Sequence, residues 1–252
     1  MKPAVSTASL LLLASFAFGV QPAMAQNLLQ QGGNLLGGAL KPGSSNKATG
    51  AGLSDGEIGA GLKDALKIGA ERTVATVGRP GGYLDDKAIH IPLPGALGQA
   101  QAALKLAGAG GLTDDLETKM NRAAEAAAPK AQGILVGAIQ KMSISDARGI
   151  LTGPKDAATQ YFRRATTGDL TAAFKPIVDQ TLSQVGAVKA LNSVTSQVKS
   201  LPLAGSVNLD LTSYVVGKAL DGIFLYLSKE EASIRDNPAQ RSTELLKKVF
   251  GG

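Results

Sequence analysis

Small and apolar residues recur at helical spacing through most of this chain. Ile58, Leu62, Ala65, Leu66, Gly69, Thr73 and Val77 fall on one helix face. Ser54 with Glu57 three residues on forms a capping box, and Leu53 stands where a staple residue would. Pro80 among the glycines of Gly78–Gly82 ends that helix. Ala88–Gly95, "AIHIPLPG", breaks the rhythm, because Pro92 and Pro94 forbid helix and favour extended backbone. Helical spacing resumes from about Pro94 to Ala107, and Gly108–Gly111 stop it. Thr113 is placed as the next cap, with Asp114 and Asp115 in a first turn that favours negative charge. Pro129 should kink or divide that helix. Ser143 and Asp146 cap a short one.

A long helical stretch then opens at "TGDL", with a kink expected near Pro176. In the next, Val215, Val216, Ala219, Leu220, Ile223, Phe224 and Leu227 leave little polar face, the pattern of a central buried helix. "RSTELLKKVF" closes the chain. The fold class is all-α, a mostly helical single domain. Val207, Leu209 and Leu211 alternate with polar residues, which leaves room for one short two-stranded ribbon from 88–91 and 207–211.

The two ends read differently. Lys2, the apolar run "ASLLLLASFAFGV" and the small residues of "PAMA" make 1–25 a secretory signal peptide, with cleavage expected after Ala25. The apolar run is shorter than the roughly 20 residues of a membrane span. Residues 26–52 are Gly/Ser-rich and offer few groups to bury, so a disordered tether is expected. Residues 53–252 form the helical domain. The expected product is a periplasmic, exported protein with no transmembrane segment in its mature chain.

Composition narrows the chemistry. There is no cysteine among the 252 residues, which excludes a lipoprotein signal, disulfides and thiolate metal sites. The net charge of +6 is modest and dispersed, which argues against nucleic acid as a partner. It fits attraction to an envelope protein, a small anionic ligand or anionic lipid. Lys247 and Lys248 beside Leu246 and Phe250 are the basic C-terminal group that a lipid surface would meet. No cofactor motif is found.

His90 is the sole histidine, between two isoleucines. As the base of a hydrolase-like enzyme it would need a carboxylate and a nucleophile from elsewhere, and no G-x-S-x-G elbow is present. With one His, metal ligation would have to be carboxylate-rich, and no D-x-D-x-D-G loop occurs. Asp85–Asp86, Asp114–Asp115 and Glu230–Glu231 are adjacent pairs whose members diverge by about 100° on a helix, so they do not face each other across a cleft. Glu230–Glu231 with Arg235 reads as a solvated face with i,i+4 pairing.

Asn121, Arg122 and Glu125 stand out on a helix otherwise built of alanine. They suit a buried polar knot with Arg72 or Arg148, or the polar floor of a ligand pocket. In "RGILTGPKDAATQYFRR" (148–164) the glycines are too close for a phosphate loop, and Pro154 precedes Lys155. Capping explains it better: Thr152 or Gly153 caps a helix with Pro154 first and Asp156 in its first turn. Phe162 and Ala158 share the inward face, and at most one of Arg163 and Arg164 points inward. Arg122, Glu125, Arg148, Lys155 and Arg163 are the candidate polar or anion site, with a network through Glu125 or Asp146 set against a bound anion at the helix start. No catalytic residue is assigned.

Several blocks together resemble a known family: "LSDGEIGAGLKDALKIGAERTVATVGRPGGY", "IHIPLP", "MNRAAEAAAPKA", "DARGILTGPKDAATQYFRR", "FKPIVDQTLSQVGAV" and "KALDGIFLYLSKEEASIRDNPAQRSTELLKKVFG". Their order from about Leu53 to Gly252 is similar to the bacterial domain-of-unknown-function family 4197, small exported helical proteins. The resemblance implies one domain and carries no activity, cofactor or catalytic residue. The expected function is a non-enzymatic envelope protein that binds a partner or small ligand. The alternatives are a hydrolase using His90 and a peripheral lipid binder.

Overall fold

Every regular element of the described residues is a helix, as the spacing of the apolar positions requires. The computed structural model describes residues 54–199 and 209–236. The signal peptide, the tether, Leu53, the 207–208 part of the expected ribbon and the basic C-terminal group lie outside them.

Among the described residues eight α-helices follow in order: α1 (Asp55–Val77), α2 (Gly95–Leu106), α3 (Gly110–Ala127), α4 (Ala131–Lys141), α5 (Ile144–Thr152), α6 (Ala157–Gln184), α7 (Ala187–Lys199) and α8 (Leu211–Asp236). Both expected capping boxes are present, Ser54 with Glu57 on α1 and Ser143 with Asp146 on α5. Pro129 divides α3 from α4 through a 3-10 turn, Ala128–Lys130.

α8 is the centre. It packs most extensively on α6, then on α1, and also meets α3. Val215, Val216, Ala219, Ile223, Phe224 and Leu227 of α8 are buried, and α6 supplies Phe162, Leu170, Phe174 and Val178 to the same core. Each Val, Leu, Ile or Phe side chain so taken from water contributes roughly 1.5–3 kcal/mol. α3 packs on α6, α7 and α2.

Four expectations change. α3 begins a turn earlier than Thr113, which is buried and donates its hydroxyl to the Gly110 carbonyl at 2.7 Å. Asp114 and Asp115 therefore lie beyond the first turn and pair with Lys105 and Lys119. α6 is one helix from Ala157, not a new one from "TGDL". Thr166, Thr167 and Thr171 turn their hydroxyls onto carbonyls one turn back instead of capping. The helix runs on past Pro176 and ends before Gly186, whose φ of +73° suits glycine and redirects the chain into α7.

The fourth concerns the ribbon. Among the described residues there is no strand. Residues 87–89 form turns, and Leu211 already belongs to α8. Residues 78–94 form a long loop between α1 and α2, held partly by its own turns and partly by side chains that bond the Tyr83, Leu84 and Ile91 backbone, with no neighbouring strand.

Candidate functional site

Glu117, Asn121 and Glu125 stand at i, i+4 and i+8 on α3, so one helix face carries all three. Each holds the 78–94 loop. The Glu125 carboxylate is 4 % exposed and accepts from the Tyr83 N–H at 3.1 Å and the Leu84 N–H at 3.0 Å. Its other oxygen accepts from the Arg122 guanidinium at 2.6 Å. The Asn121 amide, fully buried, closes on Ile91: Oδ1 accepts from the N–H and Nδ2 donates to the carbonyl, both at 2.9 Å. Nδ2 also donates to the Glu117 carbonyl at 2.8 Å. One amide thus does for Ile91 what a paired strand would do, which is why no ribbon is needed.

His90 completes the row. Its Nε2 lies 2.5 Å from Glu117 Oε1 and its Nδ1 2.9 Å from the Leu84 carbonyl oxygen. Gln101 of α2 donates to the other Glu117 oxygen at 2.9 Å. Burial pulls the imidazole pKa down, but the hydrogen bonds to Glu117 and Leu84 and the charges of Glu117 and Asp85 outweigh it, so the net shift is upward.

Tyrosines also tie the loop to α8, one from the loop and two from the helix. Tyr83 donates to the Ala219 carbonyl at 2.7 Å, Tyr214 to the Pro92 carbonyl at 3.0 Å, and Tyr226 to the Asp86 carboxylate. Burial and the Glu125 charge push the Tyr83 phenol far up. The Tyr226 hydrogen bond draws Asp86 below the usual carboxylate range. Gly222 allows the contact: a Cβ there would stand 2.7 Å from Tyr83 Cε1 and 3.2 Å from Ile89 Cβ.

A second buried carboxylate sits at the start of α6. Glu231 of α8 accepts from the Ala158 N–H at 3.0 Å, the Thr159 N–H at 2.9 Å and the Thr159 hydroxyl at 2.8 Å. Arg235 donates to it at 2.9 Å and to the Ile150 carbonyl at 2.8 Å, tying in α5. Glu231 acts as the cap of α6 from another helix. Asp156 stands at the N-cap position without a side-chain cap bond and instead accepts from Gln160 at 3.0 Å. Thr152 ends α5, its hydroxyl bonded to the Arg148 carbonyl. The solvated reading of Glu230–Glu231 therefore holds only for Glu230, because Glu231 is buried.

The four basic candidates each meet a different acid. Arg122 and Glu125 come together. Arg148 pairs with Asp55 of α1, Lys155 lies 3.9 Å from Asp236, and Arg163 lies 3.8 Å from Asp221 with its guanidinium over the Phe224 ring. Arg72 pairs with Glu230 and not with the Asn121–Glu125 knot, and Asp146 is engaged by its own capping box. The α6 N–H groups proposed for an anion donate to Glu231, so a ligand there would have to displace an internal carboxylate.

Sequence reasoning missed Glu117, Gln101, Tyr83 and Glu231. Glu231 was detectable: it follows Leu227 by four residues and Phe224 by seven, on the apolar face of its helix. Glu117 was too, one turn before Asn121. Small apolar hollows beside Glu231 hold about 10 Å³ each, room for about one water. An open hollow of about 360 Å³ lies among Lys175, Pro176, Asp179, Asp210 and Thr212. There Thr212 donates to Asp179, and Asp210 accepts from the Ser213 N–H in the first turn of α8. Among the described residues no group of three or more His, Asp or Glu is placed to hold a metal ion, and no helix is long and apolar enough to cross a membrane.

The sequence profile of a family described as "Protein of unknown function (DUF4197)" matches residues 52–251. Searches of curated proteins and of solved structures found no match. That profile covers 200 of the 252 residues, the whole 78–94 loop included, and the chain belongs to this family.

Proposed function

We propose that this is an exported, non-enzymatic helical protein of the cell envelope that works by binding a partner or a small ligand. One observation supports the reading: the groups suited to acid–base work are spent on holding backbone. Both His90 ring nitrogens face acceptors, Glu125 is filled by two N–H groups and a guanidinium, and Glu231 caps α6. A hydrolase would need His90 with a free ring nitrogen beside its carboxylate. Here the carboxylate is present as Glu117, and neither nitrogen is free. Export rests on the leader-like residues 1–25.

Native mass spectrometry of the protein released from the periplasm tests both parts. The reading expects a mass that begins at Gln26 and a co-purifying partner or small molecule. A chain found in the cytoplasm with residues 1–25 intact would overturn the export. Hydrolysis of an ester panel that is abolished by His90→Ala would overturn the non-enzymatic assignment.

A further inference from the structure

The geometry around His90 is that of an imidazolium, not of a neutral ring. The Leu84 carbonyl can only accept, so Nδ1 must carry a proton to bond it. An ionised Glu117 can only accept as well, so Nε2 must carry the other. A neutral histidine satisfies one of these contacts and turns a lone pair toward an oxygen at the other. His90 also joins three elements at one point: the loop through Leu84, α3 through Glu117, and α2 through Gln101 on the far Glu117 oxygen.

The remaining loop anchors do not depend on this charge. Asn121 fixes Ile91, Glu125 fixes the Tyr83 and Leu84 N–H groups, Tyr226 fixes the Asp86 carboxylate, and Tyr83 reaches Ala219. Between the Tyr83 and Ile91 anchors lies a short rim, Leu84–His90, on which Asp85, Lys87 and Ala88 are exposed and Ile89 is buried. Ile89 and Tyr83 together cover Gly222 of α8.

We propose that the His90–Glu117 pair is a pH-operated clasp: the doubly protonated imidazole ties the Leu84 carbonyl and the His90 end of the rim to α3, and loss of one ring proton loosens the rim there while Tyr83, the Leu84 N–H, Asp86 and Ile91 stay anchored. The charged and titratable groups facing the pair are Asp85 from the loop itself, Glu117 from α3 and Tyr214 from α8, whose phenol is raised by burial and then by the Glu117 charge. Gln101 from α2 is neutral and stays bonded to Glu117 in either state. The upward net shift of His90 sets the sign. Stability from the clasp is fully present below the ordinary histidine value of about 6.5 and is lost as pH rises through the higher folded value. The device is built into the loop and does not depend on the export or binding reading above.

His90 is the one histidine of the chain, so its ring resonances need no sorting. The test follows ring ¹⁵N shifts together with methyl relaxation of Leu84 and Ile89 from pH about 5 to about 9, the span in which a histidine switches. The expected result is one titration with a midpoint above about 6.5. Methyl order at Leu84 and Ile89 should fall with that same midpoint, while Leu93 does not change. Glu117→Gln should move the midpoint down, and His90→Gln should leave the rim loose at every pH with unchanged helix content. Leu84 and Ile89 methyls that stay equally ordered across the titration would overturn the proposal. So would a midpoint at or below the ordinary value.

Discussion

The side-chain amide of Asn121 closes both backbone groups of Ile91, accepting from its N–H and donating to its carbonyl at 2.9 Å each. This pair ties the loop to α3 where the chain is extended and no strand lies alongside. Asn121→Ala leaves two buried backbone groups without partners. A loss of about 2–6 kcal/mol is expected, since each of the two orphaned groups costs about 1–3 kcal/mol. Urea denaturation measures it, and a change below about 0.5 kcal/mol, the level of an ordinary surface substitution, would show that Ile91 finds other partners.

Glu230 and Glu231 are neighbours in sequence with opposite fates. Glu231→Ala strips the internal cap from α6 and removes the carboxylate that Arg235 pairs with, so a loss of about 3 kcal/mol is expected. Glu230→Ala removes a partly exposed contact to Arg72 at 3.7 Å and should cost less than about 1 kcal/mol. Chemical denaturation of the two variants side by side decides it, and equal losses would contradict the burial contrast.

Thr73 is fully buried on α1, and its hydroxyl finds no partner among the described residues. Thr73→Val keeps the shape and removes the orphan. The variant should be more stable by about 1 kcal/mol. A lower melting temperature would mean that the hydroxyl is bonded in solution.

Asp86 and His90 contribute to opposite limbs of the pH profile. Asp86 is depressed, first by its hydrogen bond from Tyr226, so its contribution is present above the ordinary carboxylate value and is lost as pH falls through the lower folded value. His90 is raised, so its contribution is lost as pH rises through its folded value. Urea midpoints across pH should therefore fall on both sides of a mildly acidic plateau. Tyr226→Phe should weaken the acid limb and His90→Gln the alkaline one. A profile identical in wild type and His90→Gln would contradict the assignment.

Much of this fold is legible in the residue pattern. Ser54 with Glu57 and Ser143 with Asp146 mark helix starts through local chemistry, and the apolar run of α8 marks a buried helix without reference to any neighbour. Two of the failures share a physical cause: the partner lies far away in sequence. Ile91 reads as a strand because its capping amide comes from Asn121 on another helix, and Asp156 reads as a first-turn acid because Glu231 does that work from α8. "TGDL" reads as a helix start because threonine serves equally as a cap or as a back-bonded helical residue, and only the surrounding helix decides between them. Of the candidate site, the Arg122–Glu125 pair was readable from i,i+3 spacing, whereas Tyr83 and Leu84 as the recipients of Glu125 were not.

Equilibrium urea denaturation of Glu125→Ala tests most directly whether the α3 stripe exists to hold the loop. Glu125 is buried and filled by the Tyr83 and Leu84 N–H groups and Arg122. Its removal should cost about 3 kcal/mol or more and loosen residues 83–91. Residues kept for a ligand instead tend to burden the fold, so a variant as stable as the wild type or more stable would contradict the structural account and return Glu125 to the floor of a binding site.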